Sequence, residues 1–229
     1  MTRLLEVRGL TVTHAGARAP ALADVDLDLD AGGALAVVGE SGAGKSTLLS
    51  ALLGLLPRGA RVERGSIAFR GEELVGAPAA RLRAVRGRGI GVVFQDALAA
   101  FDPVVPIGAQ VAEALAHVPA NERAACVRAL LARCRLPDAE SAARAYPHEL
   151  SGGMRQRALV ASALAGEPAL LLADEPTSAL DPTLALAVLE LLDEERARRG
   201  TALLVVTHDL ALARARCERV VGLRAGRVV

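Results

Sequence analysis

Aromatic residues and net charge are both scarce in this sequence. Aromatic side chains make up 2% of the 229 residues, and tryptophan is absent. This scarcity argues against the stacked aromatic platforms with which proteins bind single-stranded nucleic acid. The net charge of +1 provides no general attraction to nucleic acid or to anionic lipid. We therefore expect no nucleic-acid partner.

Cysteines and long apolar runs are also few. The three cysteines, Cys126, Cys134 and Cys217, are odd in number and lack metal-ligand spacing. Cys126 and Cys134 share a helical stripe with Leu130, which predicts that both are small core residues. No apolar run approaches the roughly 18 residues that a membrane span needs, and the N-terminus does not look like a signal peptide. These features predict a cytoplasmic chain that meets a membrane only through a partner.

Lysine occurs once, at Lys45, whereas every other Lys or Arg position is arginine. Lys45 belongs to Gly39-Glu40-Ser41-Gly42-Ala43-Gly44-Lys45-Ser46-Thr47, which fits the phosphate-binding pattern G-x-x-x-x-G-K-[ST]. A compact ammonium group can reach between the β- and γ-phosphates, and glycines let backbone N–H groups point at an anion. The Ser46 hydroxyl can bind Mg²⁺. The loop therefore predicts binding of a nucleoside triphosphate with Mg²⁺.

Two carboxylates end an apolar strand at Leu170-Leu171-Leu172-Ala173-Asp174-Glu175. Asp174 could hold Mg²⁺ directly or through water, and Glu175 could polarise an attacking water. The alternative interpretation is a pair of surface acids at a strand end. Buried strands are usually parallel and their carboxyl ends form sites, which favours the functional interpretation.

A second anion-binding helix start is predicted at Leu150-Ser151-Gly152-Gly153-Met154-Arg155-Gln156-Arg157. Ser151 has the character of an N-cap, and two glycines open the helix. An ordinary capped helix is the alternative. One nucleotide seldom needs two such loops from one subunit.

The order of predicted elements defines the fold class. Alternating apolar and polar residues predict antiparallel strands at 4–14 and 22–30, and further short strands follow at 65–70 and 89–94. Residues 96–150 are rich in Ala, Arg and Leu and helical in character, most clearly at 111–116 and 122–134. Strands at 169–173, 201–207 and 220–224 then alternate with helices at 182–199 and 210–217. This pattern predicts an α/β protein with a P-loop NTPase core, a mainly parallel sheet, an N-terminal antiparallel β subdomain and an inserted helical subdomain.

Over nearly its whole length, the chain resembles the nucleotide-binding subunit of the ATP-binding cassette (ABC) superfamily. The Lys45 loop resembles Walker A, Gln95 the Q-loop glutamine, and residues 150–156 the signature loop. Asp174 and Glu175 resemble Walker B and its glutamate. Ser178-Ala179-Leu180-Asp181 resembles the D-loop, and His208 the switch histidine. All of these motifs occur in the family's order.

The resemblance implies one ABC ATPase domain over residues 1–229. Its nucleotide-binding core and antiparallel β subdomain would comprise 1–95 and 158–229, and its helical subdomain with the signature loop 96–157. Two subunits, identical or similar, would face each other head to tail around two ATP molecules. The phosphates would rest on one subunit's Lys45 loop. The other subunit would complete the site with its signature residues Ser151, Gly152, Gly153 and Gln156.

The resemblance also assigns roles around the reacting phosphate. Ser46, Gln95 and Asp174 would surround Mg²⁺, Glu175 would act on the water, and His208 would contact the γ-phosphate. Asp181 would belong to the D-loop. His14 stands where the family has an aromatic ring that stacks on adenine, and its imidazole would stack more weakly.

Shorter motifs resemble the oligopeptide, dipeptide and nickel importer branch, notably Tyr146-Pro147-His148-Glu149 and residues 174–181. In that branch the ATPase subunits lie peripherally at the cytoplasmic face of the inner membrane. They drive integral membrane permease subunits that a solute-binding protein supplies, and the segment after Gln95 receives the permease. The expected solute is a peptide, nickel or a similar small solute. The chain ends at Val229, where peptide-importing relatives run on, which weakens the peptide assignment and mildly favours nickel or another solute; a trimmed C-terminus is the alternative explanation. The alternative function is a soluble ABC-type ATPase serving a cytoplasmic enzyme complex such as phosphonate degradation.

Overall fold

The computed structural model describes residues 2–178 and 180–229. Its strands are β1 (Arg3–Thr13), β2 (Leu22–Asp30), β3 (Ala34–Val38), β4 (Arg61–Phe69), β5 (Glu72–Glu73), β6 (Ile90–Val93), β7 (Leu170–Asp174), β8 (Ala202–Thr207), β9 (Arg219–Arg224) and β10 (Arg227–Val228). Its α-helices are α1 (Lys45–Leu52), α2 (Ala79–Ala84), α3 (Ile107–Glu113), α4 (Ala120–Arg133), α5 (Ala139–Arg144), α6 (Gly152–Ala165), α7 (Pro182–Arg199) and α8 (Leu210–Arg216). The chain forms two compact units, one of residues 1–86 with 200–229 and one of residues 87–199.

The first unit contains an antiparallel sheet in the order β2–β1–β4–β5. Val7 of β1 lies opposite Leu27 of β2 and Ile67 of β4, and all three side chains are buried. Asp26 on β2 is exposed, whereas Val25 and Leu27 on either side of it are buried. The alternation in the sequence is therefore that of a sheet with one covered face.

The first unit also contains four strands in the order β10–β9–β3–β8. β3 pairs in parallel with both β8 and β9, and β10 pairs antiparallel with β9. β3 and β8 consist almost wholly of buried apolar residues, as parallel strands covered on both faces do. Val38 lies opposite Thr207, so β3 and β8 end side by side. The segments that follow the two strands therefore leave the sheet at one edge.

The second unit pairs β6 in parallel with β7 and also contains α3 to α7. Helices α3, α4 and α5 pack against one another. Helix α6 packs against β6 and also contacts α3, α4 and α7. The predicted fold class is confirmed, with an antiparallel β-sheet, parallel strand pairing and flanking helices. The division into a core and a 96–157 helical subdomain stays a prediction. Among residues 2–178 and 180–229, no helix is long and apolar enough to cross a membrane.

Three details differ from the sequence predictions. β4 begins at Arg61, earlier than residue 65, because β1 continues to pair with it up to Thr13 opposite Arg61. α3 covers 107–113 instead of 111–116, because it begins directly after its N-cap Pro106, which has the non-helical ψ of 144° typical of that position. Cys134 is buried, but Cys126 is only half-buried. A helical turn has about 3.6 residues, so side chains spaced four residues apart are rotated slightly around the helix axis at each step. Cys126 therefore lies at the edge of the buried stripe and not in its centre.

Candidate nucleotide-binding site

The phosphate loop connects β3 to α1 through a sharp turn at Gly44. Gly44 is the N-cap of α1 and has φ 108°, a left-handed conformation that favours glycine. A Cβ atom there would lie 2.6 Å from the Ala21 carbonyl oxygen and 2.9 Å from Leu22 Cδ2. Both the backbone conformation and the close neighbours therefore require glycine at this point of the motif.

Lys45 opens the first turn of α1, and its side chain folds back over its own loop. The residue is 8% exposed. Its Nζ donates hydrogen bonds to the carbonyl oxygens of Gly39 at 2.6 Å and of Glu40 at 2.9 Å. Ser46, the next residue, is exposed. The ammonium group and the positive end of α1 thus face the same loop, which is the arrangement that binds phosphate.

His14 lies beside the first turn of α1. It follows β1 directly, and its Nε2 is 3.1 Å from Thr47 Oγ1. The tautomer of the imidazole decides which of the two groups donates the hydrogen bond. The sequence suggested an adenine contact for His14 but gave no sign of its hydrogen bond with Thr47. Stacking of His14 on adenine stays a prediction.

His208 leaves the sheet next to the phosphate loop. Gly39 N donates to the Thr207 carbonyl oxygen at 3.4 Å, and the exposed His208 follows immediately. Asp209 N donates to Thr207 Oγ1 at 3.0 Å, and Asp209 caps α8. Thr207 therefore connects the Lys45 loop to the turn that carries His208 and Asp209. The sequence analysis did not predict this role. A Thr that ends a buried strand before an exposed polar pair is the signal that could have revealed it.

In the second unit, β6 and β7 end side by side and bring Gln95 to Glu175. Val93 lies opposite Ala173, and Gln95 Nε2 donates to Glu175 Oε2 at 3.4 Å. Asp174 is half-buried at the end of β7. Glu175 adopts φ 43°, a strained conformation for a residue with a side chain. The strand ends therefore hold an amide and two carboxylates together, and the chain turns sharply after them.

The signature loop has an accessible start and a buried continuation. Ser151 Oγ accepts a hydrogen bond from Met154 N at 3.3 Å, which confirms Ser151 as the N-cap of α6. Ser151 and Gly152 are exposed, whereas Gly153 is buried. A Cβ atom on Gly153 would lie 2.7 Å from Leu184 Cδ1, so this glycine lets the first turn of α7 approach α6 closely.

Gln156 lies inside the second unit, next to the end of β6. Its side chain is 3% exposed, and Nε2 donates to the Phe94 carbonyl oxygen at 3.4 Å. Contact of Gln156 with another subunit's nucleotide stays a prediction. Within its own chain, Gln156 ties the signature helix to the end of β6, directly before Gln95.

Asp181 caps α7, as its position before Pro182 predicted. Its Oδ1 accepts hydrogen bonds from Thr183 N at 3.0 Å and Leu184 N at 3.1 Å. Ala179 of the predicted D-loop lies outside the described residues, and the role of Asp181 at a nucleotide stays a prediction.

The ABC transporter family model matches residues 22–178 of this chain. The chain belongs to the ABC transporter family. The matched range includes the Lys45 loop, Gln95, the Ser151 loop, Asp174 and Glu175. The resemblance inferred from the order of these motifs is therefore confirmed, and with it the prediction of an ABC ATPase cassette.

Similar ABC proteins cover the whole chain. The oligopeptide transport ATP-binding protein OppD of Bacillus subtilis is 40% identical over 100% of this chain, which spans 66% of that protein. The probable peptide ABC transporter ATP-binding protein y4tR of Sinorhizobium fredii is 41% identical over 99% of this chain, which spans 69% of it. The dipeptide transport ATP-binding protein DppD of Lactococcus lactis subsp. cremoris is 38% identical, and this chain spans 67% of it.

Solved ABC cassettes have the same fold. The dimeric post-hydrolysis structure of the cassette MJ0796, bound to ADP and Pi, has a TM-score of 0.87 and 29% identity. It covers 98% of this chain and 96% of its own. The structure of cbiO1 from Clostridium perfringens, part of the transporter complex cbiONQ, has a TM-score of 0.85 and 27% identity. The match covers 100% of this chain and 88% of the cbiO1 chain.

Proposed function

We propose that this chain is the ATP-hydrolysing subunit of an ABC importer that takes up peptides. The observation that carries the proposal is the Lys45 loop. Its ammonium group is held by two carbonyls of the loop at the start of α1, in a chain 40% identical along its full length to a peptide-transport ATP-binding protein. The loop provides the anion site, and the relatives suggest the purpose that ATP serves.

In this proposal the first unit binds ATP through its phosphates. Lys45 exchanges its loop carbonyls for β- and γ-phosphate oxygens, while backbone N–H groups of residues 39–47 enclose the β-phosphate. His14, placed beside Thr47, contacts adenine. A titration with ATP and GTP tests this contact: His14→Ala should lose preference for ATP, and an unchanged preference removes His14 from the site.

The residues assigned to Mg²⁺ suit that ion, because each supplies an oxygen ligand. Ser46 provides a hydroxyl, Asp174 a carboxylate and Gln95 an amide carbonyl, and Mg²⁺ prefers oxygen donors. Gln95 uses its amide nitrogen toward Glu175, which leaves its carbonyl oxygen for the metal. When bound, Mg²⁺ neutralises charge on the β- and γ-phosphate oxygens.

Hydrolysis in this proposal depends on Glu175. Its carboxylate accepts a hydrogen bond from the attacking water and receives the water proton as the new oxygen–phosphorus bond forms. The bond from the γ-phosphorus to the β–γ bridging oxygen breaks, and ADP leaves with that electron pair. His208 donates a hydrogen bond to the γ-phosphate, where charge changes during the reaction. Gln95, bound to Glu175, orients the carboxylate.

We place a second ABC subunit, of the same or a similar chain, opposite the first. Ser151 and Gly152 are exposed at the start of α6, where backbone N–H groups and the helix dipole favour an anion. In the proposed pair, these residues bind the γ-phosphate held by the other subunit. ATP would then stabilise the closed pair and hydrolysis would release it, which converts chemistry into motion.

The membrane partner is assigned to the segment around and after Gln95. Phe94, Leu98 and Val104 are 45%, 47% and 76% exposed. Three exposed apolar side chains within one short segment suit contact with another protein. We propose integral membrane permease subunits there, which would place this chain peripherally at the cytoplasmic face. A solute-binding protein would supply the permease.

Peptide is preferred over nickel as the solute class because the relatives described above are peptide-transport proteins. The peptide-transport names of these relatives outweigh the expectation of nickel in the sequence analysis. The accessory-ATPase alternative has no comparable support among these relatives.

Isolation from native membranes tests the proposed partners. The tagged chain carrying Glu175→Gln, extracted in mild detergent with Mg-ATP, should bring a polytopic permease with it. Leu98→Glu with Val104→Glu should lose the permease and keep ATP binding. Recovery of only a soluble enzyme complex would contradict the importer and favour the accessory ATPase.

A further inference from the structure

An ion pair between a half-buried arginine and a buried glutamate connects α4 to α7 in the second unit. Arg133, the last residue of α4, brings Nε to 2.9 Å from Glu195 Oε1 of α7. Glu195 is 3% exposed, and its Oε2 also accepts a hydrogen bond from Arg198 Nη2 at 2.8 Å. A charged carboxylate this deep in a domain needs a specific reason, because burial of charge costs several kcal/mol unless it is compensated.

The pair is not arranged for maximal stability. Nε of Arg133 lies at ion-pair distance from Glu195, but within the described part of the chain neither Nε nor Nη2 of Arg133 makes a hydrogen bond, although both atoms are buried. Burial lowers the pKa of Arg133, and the attraction of Glu195 only opposes that effect. An apolar pair of similar size would avoid both costs. The ion pair therefore provides something other than stability.

Glu195 occupies the end of the buried stripe of α7. Val188, Leu191 and Glu195 are buried on one face of α7, and the half-buried Leu184 precedes them at the same helical spacing, so Leu184 and Glu195 lie on one face about three turns apart. An apolar stripe permits small slides and rotations, whereas a charged pair has one favoured register. The opposite end of this stripe, at Leu184, rests on Gly153 of the signature loop.

Because Asp181 caps the same helix, a shift of α7 would displace two predicted site elements at once. It would move Leu184 against Gly153, beside the accessible Ser151 and Gly152, and it would move Asp181 itself. Helix α7 is therefore contacted near both of its ends: Leu184 packs beside Gly153, and Glu195 pairs with Arg133.

We infer that Arg133 and Glu195 are positioning residues for ATP hydrolysis, fixing the register of α7 so that the signature loop and Asp181 keep their productive placement. The inference rests on the proposed ATPase function. Neither residue contacts the nucleotide in this account, so each acts through α7.

The test replaces the ion pair by apolar residues in the full 229-residue chain. Arg133→Met with Glu195→Leu should retain or raise the melting temperature, because no charge is left buried. Its kcat for ATP should nevertheless fall about three- to tenfold with KM for ATP nearly unchanged, since coupling between distant sites is commonly of this size. A purely structural pair would leave kcat unchanged in a variant of normal stability.

The matched control uses the same two helices at the surface. Arg135, just after α4, pairs with Glu190 and Glu194 of α7, and these side chains are 38%, 46% and 58% exposed. Arg135→Gln with Glu194→Gln should leave both kcat and melting temperature close to wild type. Arg133→Lys provides a milder change, because it keeps the charge but loses the planar guanidinium group. It should lower kcat by about twofold to fivefold without unfolding the chain.

Amide hydrogen exchange provides a readout that does not require turnover. In the apolar double variant, residues 151–156 and the first turn of α7 should exchange at least about threefold faster than in wild type. Unchanged exchange in these segments, or a kcat within twofold of wild type for both the apolar double variant and Arg133→Lys, would overturn the inference. An inactive wild-type chain would contradict the proposed function instead, and exchange would still decide the role of the ion pair.

Discussion

Replacing Glu175 by Gln should abolish ATP turnover and leave ATP binding intact. The side chain keeps its size and its hydrogen-bonding distance to Gln95 but can no longer take a proton from water. General-base catalysis contributes about 10²- to 10⁴-fold, so phosphate release should fall by that factor. Steady-state phosphate release and equilibrium ATP titration of the same preparation measure the two properties separately.

An exposed glutamate outside the site provides the control. Glu113 near the end of α3 is exposed, and Glu113→Gln should hydrolyse ATP at the wild-type rate. Near-normal hydrolysis by Glu175→Gln would remove Glu175 from its assigned role and leave the strained turn at the end of β7 without a catalytic explanation.

Replacing Lys45 by Ala should remove most of the ATP affinity. The ammonium group makes charge-assisted hydrogen bonds to phosphate, and loss of one buried charged partner costs about 2–5 kcal/mol. The dissociation constant should therefore rise about 30- to 4,000-fold. Lys45→Arg should bind ATP little better than Lys45→Ala does. A planar guanidinium group does not fit where a compact ammonium group lies between two loop carbonyls.

The control for Lys45 is an exposed arginine that follows the opposite end of α1. Arg58→Ala should bind ATP as the wild type does, since Arg58 lies in solvent. Thermal unfolding should show that both variants are folded. ATP binding by folded Lys45→Ala at wild-type affinity would contradict the phosphate-loop assignment.

Much of the fold could be predicted because short-range patterns carry it. The alternation of Val25, Leu27 and Leu29 with aspartates defined β2, and the apolar run at 170–173 defined a buried strand. Asp181 before Pro182 located the start of α7 correctly, since N-caps act within one turn. The order of the loops then suggested the family without any distance information.

The remaining features depend on contacts that local patterns do not encode. The burial of Gln156 follows from the approach of Phe94, 62 residues earlier in the chain. The start of β4 depends on how far β1 continues to pair, and the hydrogen bond of His14 depends on where α1 begins. The Arg133–Glu195 pair joins two helices whose sequences, read separately, show only ordinary surface charges.

If ATP closes two of these subunits around a shared site, sedimentation of the Glu175→Gln chain should show it. With Mg-ATP this variant should sediment as a dimer, and with ADP or without nucleotide as a monomer. Adding Lys45→Ala to the same chain should prevent the dimer. A Glu175→Gln chain that binds ATP yet remains monomeric at every concentration would show that ATP does not close a shared site between two subunits.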